Sequence, residues 1–413
     1  MRGNKLSSGL IALLAISTAS LVMTGVRAGA QTETVLYNFN SSSESGVTPI
    51  AGLTFDAAGN LYGTTSQGGA YGGGTVLELI PKAGGGWTKK NLHNFGVNRG
   101  DGNDPYAGLI FDAVGNIYGT THGGGVSTLG TVFELSPSAG GGWIEKILYN
   151  FKNQGNGGSD AALTLDAAGN LYGTELQGGA YGFGMVFELS PTSSGRWTES
   201  ALHQFATDAH YPIAGVIFDG AGNLYGATSQ GGDYDQGTVF ELLPKAGGGW
   251  TEKILHHFNP NDGTDGGVPY STLVFDTAGN LYGTSSVGGA FGAGTVFELT
   301  PGPNGSWTET ILHDFSGPPL DGTLPYARLT LDRAGNLYGT TINGGTSNSC
   351  GIVFELSPAS GLWTEKILHN FDDYTKDGCG SMGDVVFDAS GNLYGTTLVG
   401  GVYGQGTVFE IKP

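Results

Sequence analysis

The chain has 413 residues with 77 Gly, 16 Pro and a formal net charge of −19, a balance that excludes the clustered Lys and Arg needed to bind nucleic acid or an anionic membrane. The glycine has no Gly-X-Y period and is interleaved with Val, Ile, Leu, Phe and Tyr, which excludes collagen-like and disordered chains and leaves a turn-rich all-β fold.

The first thirty residues differ from the rest. Arg2 and Lys5 precede an apolar run over residues 10–23, and Ala28-Gly29-Ala30 forms a small-x-small site. The pattern predicts a secretory signal peptide over residues 1–30, cleaved before Gln31. The run falls short of the ~20 apolar residues of a spanning helix and no second one follows, so no membrane span is expected in the mature chain. A secreted protein, periplasmic or extracellular, is therefore expected.

From residue 31 onward the chain repeats. The string Asp-x-x-Gly-Asn-Leu/Ile-Tyr-Gly begins at Asp56, Asp112, Asp166, Asp219, Asp276, Asp332 and Asp388, at intervals of 53 to 57 residues. Such a period indicates a repeat architecture. In the first unit, residues 51–56 read as a short strand, 57–60 as a tight turn and 61–65 as the returning strand. A glycine loop over 67–74 leads to a third strand at 75–79; a turn over 81–86 leads to a fourth at 87–95. Four antiparallel strands repeated radially make a propeller blade. The mature chain opens on Thr32-Glu33-Thr34-Val35-Leu36-Tyr37-Asn38-Phe39, which matches a fourth strand, and ends on a third, Gly406-Thr407-Val408-Phe409-Glu410. A seven-bladed all-β propeller over 31–413, closed by the N-terminal strand, satisfies both ends and leaves no open edge between them.

The succession Leu-Tyr-Gly-Thr-Thr, Gly-Gly and Gly-Thr-Val-Phe-Glu-Leu resembles the Gloeo-Verruco (GloVer) tandem-repeat family of secreted bacterial proteins, and all seven units match it. The strand-turn-strand part is also similar to NHL-type blades, and the order Gly-Gly, third strand, turn, Trp is similar to kelch blades. The resemblance implies secretion, and in many members a C-terminal surface anchor. The closing residues Glu410-Ile411-Lys412-Pro413 do not resemble one, which leaves periplasmic retention and release both open.

Residues present in every unit are best explained by something every unit does. The seven turn Asp residues are expected to cap their own hairpins. The third-strand Glu78, Glu134, Glu188, Glu241, Glu298, Glu355 and Glu410 are too dispersed to form a catalytic carboxylate pair and are expected to be struts between blades. His93, His203, His256, His313 and His369 alternate with Tyr37 and Tyr149 at one position, which argues against metal ligation there. Trp87, Trp143, Trp197, Trp250, Trp307 and Trp363 are expected to anchor blade packing.

What varies lies in two loop sets expected on one face of the disc. One joins each fourth strand to the next blade, and the other joins second to third strands. They carry Asp101, Asp104, Asp160, Asp208, Asp262, Asp265, Asp321, Asp372, Asp373, Asp377 and Asp384, with Glu175, Asp233 and Asp235. This reads as a solvated acidic rim. A Ca²⁺ or cationic-ligand site is the alternative, with residues 259–267 offering hard oxygens but no EF-hand spacing. Tyr106, Tyr211, Tyr270 and Tyr326 in the inter-blade loops, and Tyr71, Tyr181, Tyr234, Phe291 and Tyr403 in the glycine loops, are the candidate binding residues for a polysaccharide or protein. His122, Glu175 and His210 break the repeat and are the candidate catalytic residues, although no linear catalytic motif accompanies them.

The expected function is a secreted binding scaffold working through the loop face, and a monomer is expected. The alternatives are a hydrolase or lyase acting on polysaccharide, and a surface structural protein. No cofactor and no tightly bound catalytic metal are expected. Cys350 and Cys379, the only two cysteines, lie in loops on the same face of blades six and seven, and an oxidising compartment would join them.

Overall fold

The computed structural model describes residues 31–412 apart from 43, 153–157, 347–349 and 373. The expected signal peptide lies outside the described residues, as does Asp373. Seven four-stranded antiparallel sheets form the blades. Blade one runs Thr54–Phe55, Leu61–Thr65, Thr75–Pro81 and Trp87–Asn94 from the channel outward. Blade seven combines Val386–Phe387, Leu393–Thr397 and Thr407–Lys412 with the N-terminal strand Thr32–Asn38. Thr34 pairs with Glu410 and Val35 with Phe409, and a bulge follows between Val35 and Tyr37. The same bulge occurs where third and fourth strands pair in each of the other blades, for example at Val76/Leu77. Among the described residues, no helix is long and apolar enough to cross a membrane.

The first strands are shorter than residues 51–56 suggested. A second-strand threonine from one blade reaches the backbone just ahead of the next blade's first strand, as Thr64 Oγ1 donates to the Ala107 carbonyl at 3.3 Å. Thr396 Oγ1 donates to the Ala51 carbonyl at 3.0 Å and so links blade seven to blade one. Hydrophobic packing reinforces these seams. Phe95, at the end of blade one, meets Phe133 of blade two edge-on at 5.1 Å, and Phe371 meets Phe409 at 5.2 Å. The ring fits because the second strand carries glycine beneath it: a Cβ on Gly119 would come within 2.6 Å of Phe133 Cζ. Tryptophan also spans seams, with Trp87 against Tyr394 of blade seven at 6.2 Å.

The turn aspartates cap their hairpins as expected. Asp56 Oδ1 accepts the Ala58 and Asn60 N–H groups at 2.8 and 2.9 Å, while Oδ2 accepts Asn60 Nδ2 and the Tyr62 hydroxyl. The third-strand glutamates are a correction. They do not bridge blades: Glu78 accepts the Tyr62 hydroxyl of its own blade at 2.9 Å, and Glu134 accepts Ser136 Oγ at 2.8 Å. Their neighbours on the second strand and two residues ahead lie within reach, so the bond closes locally.

Both loop sets do emerge on one face, and short ladders sew them together. Gly102–Asn103 pairs with Gly123–Gly124, and equivalent two-residue ladders occur ahead of blades four, five and six. Single bridges, Val47 to Gln67 and Cys379 to Val399, do the same in blades one and seven. Cys350 and Cys379 form a disulfide with a Cα–Cα distance of 4.4 Å.

Candidate functional site

The innermost segments of all seven blades enclose a cavity of about 940 Å³ in the central channel. One repeat position, the second residue of the segment that enters each blade, changes character around the ring. It is Gly52, Gly108, Ala162, Gly215, Thr272, Arg328 and Asp384 in successive blades. Four blades thus leave room, while blades five to seven project a hydroxyl, a guanidinium and a carboxylate. Thr272 Oγ1 accepts the Gly215 N–H at 3.0 Å. Burial pushes the Asp384 carboxyl above its ordinary value, and the charge of Arg328 works against that shift. Asp384 lies across the backbone of blade one, where a Cβ on Gly52 would fall 1.5 Å from its Oδ1.

Three of the nine candidate aromatics line this cavity: Tyr106, Tyr270 and Tyr326. The rings of Tyr270 and Tyr326, on adjoining blades, lie 4.5 Å apart with a 35° tilt. Tyr211 instead packs against Phe183 and His210. Tyr71, Tyr181, Tyr234, Phe291 and Tyr403 stand exposed on the tips of the glycine loops, outside the cavity, with Tyr71 at 58% exposure.

The three repeat-breaking residues part company. His122 Nδ1 lies 2.7 Å from Asp160 Oδ1, and its ring faces Tyr106 at 5.2 Å. The hydrogen bond to Asp160 raises the His122 pKa against the effect of burial, and the Asp104 charge adds to the rise. This group joins blades two and three at the cavity edge, since Tyr106 and Asp160 both line it. Glu175 is wholly buried and belongs to no open acidic face. It pairs in register with Met185, where blade one has a hydrogen-bonded Thr65–Thr75 pair, and its carboxylate sits beneath Gly178. His210 sits in a loop ladder with Nε2 3.7 Å from Asp235, away from the cavity.

The solvated acidic rim also needs correction. Asp101, Asp265, Asp321 and Asp377 are buried, because each turns inward toward the fourth-strand histidine ahead of it. Asp101 Oδ2 also accepts the Gly96 and Val97 N–H groups, tying the loop to the end of its blade. Asp208, Asp262, Asp372, Asp233 and Asp235 do face solvent. In the stretch singled out for Ca²⁺, Asp262 Oδ1 accepts bonds from Thr264 and from the Asp265 N–H, so it is engaged by its own loop.

Three of these histidines also reach across a seam. His93 Nε2 lies 3.3 Å from Asp101 and 3.6 Å from Glu145 on the next blade; His256 and His313 repeat this with Asp265 and Glu309, and with Asp321 and Glu365. These three Asp-His-Glu groups have donor sets able to hold a cation. Where the repeat has tyrosine, Tyr149 donates to Glu199 at 2.9 Å, and Tyr37 faces the Lys89 ammonium at 5.9 Å. Reading single positions missed the groups; the signal was the joint occurrence of His, a following Asp and the next blade's Glu. Arg328 was missed because it stands just ahead of the two-residue strand Thr330–Leu331, amid residues that look structural.

The profile of the Gloeobacter/Verrucomicrobia repeat matches residues 22–240 and 212–413. No curated protein matches the chain in sequence. Among solved structures, the chain is similar to the extracellular domains of two hybrid two-component systems from B. thetaiotaomicron. One is 14% identical with a TM-score of 0.53, covering 92% of this chain and 41% of that one; the other is 11% identical with a TM-score of 0.56, covering 91% and 40%. The chain thus spans about two fifths of their length. It is also similar to a protein from Bacteroides uniformis described as a 6-phosphogluconolactonase, at 12% identity and a TM-score of 0.52, covering 79% of this chain and 86% of that one. These likenesses are of fold.

Proposed function

The chain belongs to the Gloeobacter/Verrucomicrobia repeat family, and from that premise we propose that it is a secreted or periplasmic binding scaffold whose channel mouth takes a polysaccharide. The observation that carries the reading is the Tyr270–Tyr326 pair beside Arg328 and Asp384 in a cavity of about 940 Å³. Tyrosine faces suit the apolar face of a sugar ring, and the charged pair offers both donors and acceptors to its hydroxyls. The apolar leader expected over residues 1–30 and the Cys350–Cys379 disulfide support an oxidising compartment. The extracellular placement of the two sensor domains of similar fold agrees with that.

Glycan-array binding followed by calorimetry on the retained polysaccharide tests this. Tyr270→Ala and Tyr326→Ala are each expected to weaken binding about two- to tenfold, the equivalent of an aromatic contact of roughly 0.5–1.5 kcal/mol. Tyr71→Ala, on an exposed tip, is the control. Equal loss in the control would point to the loop tips and a protein-like surface instead, and unchanged binding in both tyrosine variants would end the channel reading.

A second reading rests on the His122–Asp160 contact at 2.7 Å beside Tyr106. A histidine whose proton is held by a carboxylate can act as general acid or base, which suits a hydrolase or lyase acting on the same polysaccharide. Turnover that disappears in His122→Ala while binding persists would favour this reading over the scaffold.

A further inference from the structure

In the seam between blades four and five, the aspartate of the Asp-His-Glu group differs from its counterparts in the two sister groups. His256, on the fourth strand of blade four, has Nε2 3.1 Å from Asp265 Oδ2 and 3.5 Å from Glu309 Oε1 on blade five. Asp265 is only 7% exposed, and its Oδ1 has no hydrogen-bond partner. In the two sister groups both oxygens of the aspartate are engaged. Asp101 meets His93 through Oδ1 and the Gly96 and Val97 N–H groups through Oδ2; Asp321 takes the Gly322 N–H on Oδ1 and His313 and Ser316 on Oδ2. A buried carboxylate oxygen left dry is costly unless a positive species meets it.

We propose that His256, Asp265 and Glu309 form a single site for a first-row divalent cation such as Zn²⁺. The three donor atoms lie within 4.8 Å of one another. The His256 separations of 3.1 and 3.5 Å bracket the roughly 3.3 Å expected between ligands of a tetrahedral ion with bonds of about 2.0–2.1 Å. One imidazole with two carboxylates favours such an ion over Ca²⁺, which takes oxygen ligands and a higher coordination number. Binding requires the imidazole proton on Nδ1, so that the Nε2 lone pair faces the ion; any proton shared by the two carboxyls leaves to solvent. The fourth position is open to water. Because the ligands come from two blades, the ion would act as a clasp on this seam.

The test uses the whole chain, treated with chelator and dialysed, then titrated with ZnCl₂ by calorimetry at pH 7.5. One Zn²⁺ per chain is expected, with a rise in melting temperature. Asp265→Asn keeps an acceptor for the loop, and His256→Tyr installs the residue that the repeat itself uses at Tyr149; each should weaken the site at least tenfold. His313→Tyr should leave it unchanged. X-ray absorption on the Zn²⁺-loaded wild-type chain supplies a measurement that needs no variant, and should find one imidazole with oxygen ligands. No Zn²⁺ bound at millimolar concentration, equal affinity in Asp265→Asn and His256→Tyr, or a first shell without imidazole would each overturn the proposal. The first of these would leave a shared proton as the occupant of the seam.

Discussion

Val35, near the start of the described chain, lies opposite Phe409 in the last strand, and this pairing closes the ring. Six residue pairs hold the N-terminal strand, from Thr32–Lys412 to Asn38–Thr407. Ladder bonds contribute roughly 0.5–1.5 kcal/mol each, and their loss bares a sheet edge. Deleting residues 31–39 should therefore lower the melting temperature and promote association, read by scanning calorimetry and size-exclusion chromatography. A deletion variant that melts like the full chain as a monomer would show that the ring does not need this strand.

Two fourth-strand carboxyls predict an unusual pH dependence. Burial pushes Glu252 up to about 7, with Asp208 adding to the shift, and pushes Glu33 up to about 7, with His369 opposing and Asp377 adding. Glu252 also faces His203 across its seam at 3.3 Å. Both folded-state values lie above the ordinary value of 4.5, so the folded chain keeps protons that the unfolded chain releases. That contribution is complete below about pH 4.5 and is lost as pH rises through about 7. Melting temperature should fall between pH 5 and 8, and Glu252→Gln should flatten the fall. An identical pH profile in the variant would mean that Glu252 titrates elsewhere.

The Cys350–Cys379 bond joins positions 29 apart in sequence. Closing a loop of that length stabilises by about 3.5 kcal/mol in the chain-entropy model. Reduction, or the double Cys350→Ser, Cys379→Ser variant, should lower the melting temperature by several degrees. Alkylation with mass spectrometry should find no free thiol before reduction. Two thiols alkylated in the folded protein would remove the bond from the account of the seam between blades six and seven.

The repeat itself was plain in the amino-acid order. The turn chemistry from Asp56 to Tyr62 is contiguous, so its period counts the blades, and the match of residues 32–39 to a fourth strand shows how the ring closes. The disulfide was also legible, because the two cysteines fall in loops whose face follows from strand alternation. What the order of residues did not disclose was direction. The third-strand glutamates recur once per blade, yet only the register of Tyr62 opposite Glu78 shows that their bonds stay within a blade.

The site belongs to tertiary structure. Whether position 328 faces a channel or a neighbour depends on which strand is innermost, and seven first strands of two ladder residues have too few side chains to betray it. His122 meets Asp160 across 38 residues, and His256 meets Glu309 from the next blade. Local propensity and period are written in neighbouring residues, so the sequence by itself determined the blades and their closure. Contacts between blades depend on the radius and twist at which the sheets pack, so only the folded ring decided which tyrosines line the cavity, which aspartates are buried and where charge collects.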